Sequence, residues 1–262
     1  MAVNDLADEL GRAIAQSEIV PYYQPIVDLQ TRRLTGFELL ARWQHPSRQI
    51  IDPAEFMPLV ERQGLIRVLT ERLLQQACAH AANWPAHIRL SVNISSLLLR
   101  DTEIAERLFQ VAYEARCPFH RLMFELTESA VIGDLELARS ILGNLRSLGA
   151  RLALDDFGTG YSGLHHLHVL PFDTLKLDAT FVRSMGTVPE SRKIVVAVVG
   201  LCRSLHLMAI ADGIENEDQL ETLRSLGYNS GQGWLFGRPT SGHETTSLLN
   251  AEPPILNTDF EH

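Results

Sequence analysis

Apolar and polar residues follow two alternating rhythms along this chain. Short β-rich runs, each flanked by turn residues, occur at 19–29 (IVPYYQPIVDL), 34–43 (LTGFELLARW), 88–95 (IRLSVNIS) and 121–129 (RLMFELTES). Further runs follow at 150–158 (ARLALDDFG), 173–182 (DTLKLDATFV), 207–215 (LMAIADGIE) and in the Gly-rich NSGQGWLFGRP. Between most of them the apolar residues take helical spacing, as in FMPLVERQGLIRVLTERLLQQACAHAA, DTEIAERLFQVAYEA, DLELARSILGNLRSLG, ESRKIVVAVVGLCRSLH and NEDQLETLRSLG. Strand then helix, repeated, is the grammar of βα units. About eight such strands in roughly 250 residues predict an α/β fold, a TIM-like (β/α)8 barrel closed on itself.

The first two runs depart from that grammar. Only DLQTRRLT joins them, too short for a parallel crossover, so they are expected to form an antiparallel first-strand pair. The spacing places an N-terminal helix in 1–18 leading into the barrel, the barrel itself in 19–250, and a frayed tail in 251–262. Asp101 is positioned to cap a helix, Gly149 and Gly227 to end helices in the left-handed conformation, and Pro53 and Pro189 to start them.

Composition narrows the partners. A net charge of -9 without any Lys/Arg run argues against a nucleic-acid polymer, leaving a small anion held locally by placed cations. No run has the roughly 18 uninterrupted apolar residues of a membrane span, and the acidic start is unlike a signal peptide, so the expected location is cytoplasmic. Cys78, Cys117 and Cys202 show no CxxC or zinc spacing and read as reduced and buried.

Polar residues recur at one place in the pattern. Glu38, Asn93, Glu125, Asp155 with Asp156, Lys176 with Asp178, and Asp212 each follow or end an apolar run. In a β/α barrel those positions form the C-terminal rim, where active sites are built. Carboxylates crowded there repel one another unless cations sit among them, and Mg²⁺ or Mn²⁺ suits an all-oxygen set. Asp155 and Asp156 can both face the site only where their strand ends, at Phe157-Gly158-Thr159-Gly160; a pair so placed can ligate or bridge two metals for displacement at phosphorus. Lys176 could orient a water or stabilise charge on phosphoryl oxygens, and Arg42 could hold a phosphate. Each acid alone is more simply a helix cap or surface ion-pair partner; the set carries the reading. His165, His166 and His168 are interleaved with leucines and read as a short helix or turn in preference to a metal cluster.

These motifs together resemble the EAL domain, the bacterial cyclic di-GMP phosphodiesterase module. The likeness runs from about Val20 to Pro239 through YYQPIVDL, GFELLARW, SVNIS, FELTES, LDDFGTGYSGL, LPFDTLKLD, ADGIE and GQGWLFGRP. It implies hydrolysis of cyclic di-GMP to linear 5'-pGpG with two divalent cations, Mg²⁺ or Mn²⁺. By the same resemblance Glu38, Asn93, Glu125 and Asp155 match ligands of one metal, and Asp155 and Asp156 serve the second. Asp212 matches a carboxylate assigned as ligand or general base, and Lys176 the lysine on the nucleophilic water. Arg42 and Gln232 match residues at the substrate phosphate and completing the site; Gln24 and Leu39 are expected at the substrate. Glu128 matches the glutamate that anchors the DDFGTG loop. A homodimer formed beside that loop, and fusion to sensor or diguanylate cyclase domains, are also implied.

One departure from the family's pattern is Asp212, where active members usually carry Glu. Aspartate keeps charge and ligand type but has shorter reach, and a misplacement of roughly 1 Å can cost on the order of a hundredfold in rate. The alternative expectation is therefore a weak or inactive cyclic di-GMP receptor that signals through partner contacts.

Overall fold

The computed structural model describes residues 2–128, 134–160 and 163–250. Its centre is a closed barrel of eight strands: β1 (Ile19–Asp28), β2 (Leu34–Gln44), β4 (Arg89–Asn93), β5 (Leu122–Thr127), β6 (Arg151–Phe157), β7 (Thr174–Leu177), β8 (Met208–Ala211) and β9 (Ser230–Gln232). Two short strands, β3 (Ile50–Ile51) on β2 and β10 (Thr240–Ser241) on β1, lie outside the ring. β1 is antiparallel to both its neighbours, with Gln24 opposite Glu38 on β2 and Ile26 opposite Gln232 on β9. From β2 through β9 every other adjacent pair is parallel. The antiparallel first pair thus follows from its short link, as the sequence indicates.

The helices pack around this ring as α1 (Ala2–Ala15), α2 (Pro53–Arg62), α3 (Ile66–Ala81), α4 (Ile104–Glu114), α5 (Leu135–Ser147), α6 (Gly163–Val169), α7 (Ala179–Ser184), α8 (Pro189–Leu205), α9 (Glu217–Leu226) and α10 (Gly242–Asn250). Leu6, Leu10, Ala13 and Ile14 bury one face of α1 in the main core, which is continuous beneath the helices. Pro53 and Pro189 occupy the first helical positions, where a missing N–H costs nothing. Gly149 and Gly227 follow α5 and α9 with φ of 104° and 91°.

Three local expectations change. The long helical stretch from 56 to 82 is two helices, because the chain turns at Gln63–Leu65. Asp101 does not cap α4: Glu103 holds that position, and the Asp101 carboxylate accepts the Glu103 amide in the turn before it. The run 173–182 is strand only to Leu177; Asp178 then accepts the Thr180 amide and caps α7, so ATFV is helical despite its β-branched residues. The 251–262 tail lies outside the described residues. All three cysteines are free and buried.

Inside the barrel, pleating puts alternate residues on one face. Two positions before Glu125, Asp155 and Asp212 stand Met123, Ala153 and Ile210, which form a small apolar cluster separate from the main core. That cluster, with buried Ser91 and Thr174, is the floor on which the polar rim residues rest.

Candidate active site

Above this floor the strand tips bring acids and amides together. Glu38, Glu125 and Asp155 are buried, and one oxygen from each lies within 4.8 Å of the others. Lys176, 1% exposed, sits among them. Its ammonium donates to Glu125 Oε2 at 2.5 Å, Glu38 Oε2 at 3.1 Å and Asp155 Oδ2 at 3.2 Å. Glu38 also accepts from Asn93 Nδ2 at 2.8 Å and Gln232 Nε2 at 2.6 Å. Six residues from six strands therefore share one hydrogen-bonded cluster.

Asp155 and Asp156 are reconciled as consecutive site residues by backbone geometry. Asp156 takes a φ of 53°, a left-handed turn that aspartate tolerates better than most side chains, and its amide donates to Asp155 Oδ1. The strand pleat ends there, and Asp156 comes within electrostatic reach of Asp155, Asp178, Lys176 and Asp212. Asp212 accepts from the Gly213 amide at 2.5 Å and feels Lys176, Glu38 and Asp155, with a hydrogen bond from Gln232.

The carboxyls cannot all be ionised around one ammonium. Burial pushes Glu38 up, but Lys176 and the hydrogen bonds from Gln232, Asn93 and Lys176 outweigh it and hold the group below the ordinary range. Burial, opposed by Lys176 and reinforced by Glu38 and Asp155, raises Glu125. Asp155 is also raised, first by burial. Burial, then like charge, lifts Asp156 and Asp212 to about 6 each. Burial works against the Lys176 ammonium, yet Asp155, Glu125, Glu38 and Asp212 keep its pKa well above the usual lysine value. The cluster carries more negative charge than its one lysine satisfies, which is what a bound cation relieves.

The donor set fits such a cation. Among the described residues Glu125 Oε1 and Gln232 Oε1 are buried with no hydrogen-bond partner, so two residues of the cluster keep an unsatisfied acceptor. All donors are oxygen or amide, the chemistry of Mg²⁺ or Mn²⁺ and not of a thiolate or imidazole site. His165 and His168 on α6 are exposed and His166 is buried; none joins this group.

Around the acids, Gln24 faces Glu38 across the β1–β2 pair. Leu39, next to Glu38, is buried and lines a cavity of about 470 Å³ with Met57, Glu61, Asn93 and Ser95. Arg42 is not drawn into the cluster: its Nη1 donates to the Ala41 carbonyl at 2.8 Å, and among the described residues it forms no ion pair. Glu128 accepts the Gly158 and Gly160 amides at 3.2 and 3.1 Å, tying the loop after β6 to the end of β5. Residues 161 and 162 of FGTGYSG lie outside the described residues.

Sequence reasoning passed over Trp234. It is 54% exposed just beyond Gln232, with the Arg238 and Arg183 guanidinium carbons 4.6 and 5.8 Å from its ring centre. Arg183 is held in turn by Glu215 at 2.9 Å. An aromatic residue in a Gly-rich rim loop was the available signal.

Fold and site together define an acid-lined α/β barrel with an antiparallel first strand. The EAL domain family matches residues 7–239, and the chain belongs to that family. A cyclic di-GMP phosphodiesterase of Pseudomonas aeruginosa is 39% identical over 238 residues, 89% of this chain and 40% of that protein. The bifunctional diguanylate cyclase/cyclic di-GMP phosphodiesterase MucR of the same organism is 36% identical over 89% of this chain and 35% of its own length. The solved PaMucR phosphodiesterase, a c-di-GMP complex, superposes with a TM-score of 0.87 at 34% identity, covering 92% of this chain and 99% of that one. The chain thus spans well under half of these curated relatives, which are longer proteins. No helix among the described residues is long and apolar enough to cross a membrane.

Proposed function

We propose that this domain hydrolyses cyclic di-GMP to linear 5'-pGpG with two divalent cations, Mg²⁺ or Mn²⁺. The observation that carries the reading is the convergence of three carboxylates, Glu38, Glu125 and Asp155 within 4.8 Å, with Glu125 Oε1 left without a partner among the described residues. Glu38, Asn93, Glu125 and Asp155 would hold one ion, and Asp155 with Asp156 the second. Bound divalent cations would neutralise phosphoryl charge and acidify a coordinated water.

The residues themselves divide the remaining work. Gln24, Leu39 and the cavity beside it receive part of the nucleotide, Arg42 turns from the Ala41 carbonyl to a phosphate, and Trp234 offers a face for a guanine base. Lys176 holds the attacking water, and Asp212, with its pKa near 6, accepts the proton as the oxygen adds to phosphorus. The P–O3' bond breaks, the 3'-oxygen takes up a proton, and the phosphate stays on the 5' side. Gln232 fixes Glu38, and Glu128 fixes the loop carrying Gly158 and Gly160. The domain acts as a homodimer associating near that loop, within a cytoplasmic signalling protein carrying sensor or diguanylate cyclase domains.

Chromatography of cyclic di-GMP incubated with Mg²⁺ or Mn²⁺ tests this. The wild type forms pGpG, and Glu38→Ala and Asp155→Ala lose nearly all activity. Unchanged turnover in both variants would sink the assignment. The receptor reading draws on Asp212, whose short side chain is turned onto the Gly213 amide; tight binding without turnover in the wild type would favour it.

A further inference from the structure

The position of Lys176 has a consequence for how the cluster takes up a cation. Its ammonium lies 2.5, 3.1 and 3.2 Å from Glu125, Glu38 and Asp155, the same three carboxylates whose oxygens converge within 4.8 Å. A divalent ion bound by the same three oxygens that hold Nζ, at the roughly 2.0 to 2.1 Å of Mg²⁺–oxygen bonds, would need the space that Nζ now fills. Two cations cannot share it at hydrogen-bonding distance.

The choice of residue supports an exchange. Among 23 Lys and Arg residues only two are lysines, Lys176 and the exposed Lys193 on α8. Every other basic position is arginine, whose planar fork would lock onto paired carboxylates. Lysine brings a compact charge on a flexible four-carbon stem, able to hold the acids together and to swing away.

We propose that Lys176 is a displaceable counter-ion: it fills the three-carboxylate centre in the metal-free protein and yields that place when a divalent cation binds. This rests on the reading of the cluster as a metal centre. Lys176 then sets metal affinity, because every binding event must break its three ion pairs. Displacement also puts Nζ beside the ion, where it can hold the attacking water. One residue thus supports the metal-free fold, weakens metal binding and becomes competent for catalysis only after metal entry.

The two lysines make the test direct. In protein labelled with ¹⁵Nζ-lysine, titrating Mg²⁺ is expected to move or broaden the Lys176 ammonium signal while Lys193 stays fixed. Calorimetry with Mn²⁺ is expected to show at least tenfold tighter binding to Lys176→Met than to wild type, although the variant melts at a lower temperature in EDTA. If Mn²⁺ binds both proteins equally and the Lys176 signal ignores Mg²⁺, displacement is overturned while the metal centre stands. If neither protein binds Mn²⁺, the metal reading and the proposal both fall. The NMR arm uses wild-type protein and does not depend on the variant folding.

Discussion

In metal-free protein, Asp212→Asn is expected to raise stability, and only above the pH at which Asp212 ionises. Burial, opposed by Lys176 and reinforced by Glu38 and Asp155, lifts this carboxyl from 3.8 to about 6. The folded state therefore binds a proton more tightly than the unfolded chain, and the group costs nothing below pH 3.8. The cost grows as pH rises between the two pKa values and is complete above about 6. A shift of about two units corresponds to about 3 kcal/mol. Water reaching Asp212 at the barrel mouth screens part of this, leaving about 2 kcal/mol. Asparagine keeps the Oδ1 that accepts the Gly213 amide, so the variant removes charge and little else. For a domain of this size about 2 kcal/mol is a melting-point rise of roughly 4 to 8 °C. Thermal or urea unfolding in EDTA at pH 4.5 and pH 8 measures the difference. A variant less stable than wild type at pH 8, or an equal gain at both pH values, would refute the reasoning. Saturating Mg²⁺ should remove most of the gain, because the ion supplies the charge the cluster lacks.

Other consequences are as specific. Trp234→Ala should weaken cyclic di-GMP binding by a factor of about 5 to 150, the roughly 1 to 3 kcal/mol of one stacked base, while the melting temperature stays put because the ring is half exposed; calorimetry with unchanged Kd would count against a stacking role. In Gly160→Ala the new Cβ would come within 2.8 to 3.1 Å of the Glu128 carboxyl atoms and strain an anchor that also takes the Gly158 amide. The loss of a charge-assisted hydrogen bond, about 1.5 to 3 kcal/mol, should lower kcat at least tenfold; a kcat equal to wild type would show that the loop needs no such tether. Asp212→Glu restores the longer reach and should speed hydrolysis, and a slower variant would mean the barrel has adapted to aspartate.

The parts of the fold readable from sequence are those set by local rules. The β-rich runs located the strands, although 173–182 and the Gly-rich run extend well past theirs; the short DLQTRRLT link gave the antiparallel pair, and Pro53, Pro189, Gly149 and Gly227 marked helix ends through backbone constraints that hold in any context. Asp178 and ATFV were misread because β-branched composition favours strand, while a capped helix after Leu177 is decided by the space outside the barrel. Asp101 failed as a cap by two residues, within the ordinary latitude of helix starts.

At the site, strand tips announced Glu38, Asn93, Glu125, Asp155 and Asp212, since pleating and parallel register carry rim residues to one mouth. The hydrogen bond from Lys176 to Glu38 depends on barrel closure, which brings β2 and β7 face to face across the interior, and no local pattern encodes that distance. Arg42 and Trp234 show the same limit from the other side: one is turned to its own backbone, the other is presented to solvent by a glycine-rich loop.

The central claim is catalysis at the Glu38, Glu125 and Asp155 centre. Single-turnover chromatography of cyclic di-GMP, with wild-type protein in excess and Mn²⁺ present, tests it most directly. Conversion of the bound nucleotide to 5'-pGpG, stopped by EDTA, is the expected result; nucleotide that binds at micromolar affinity or tighter and stays cyclic would contradict it.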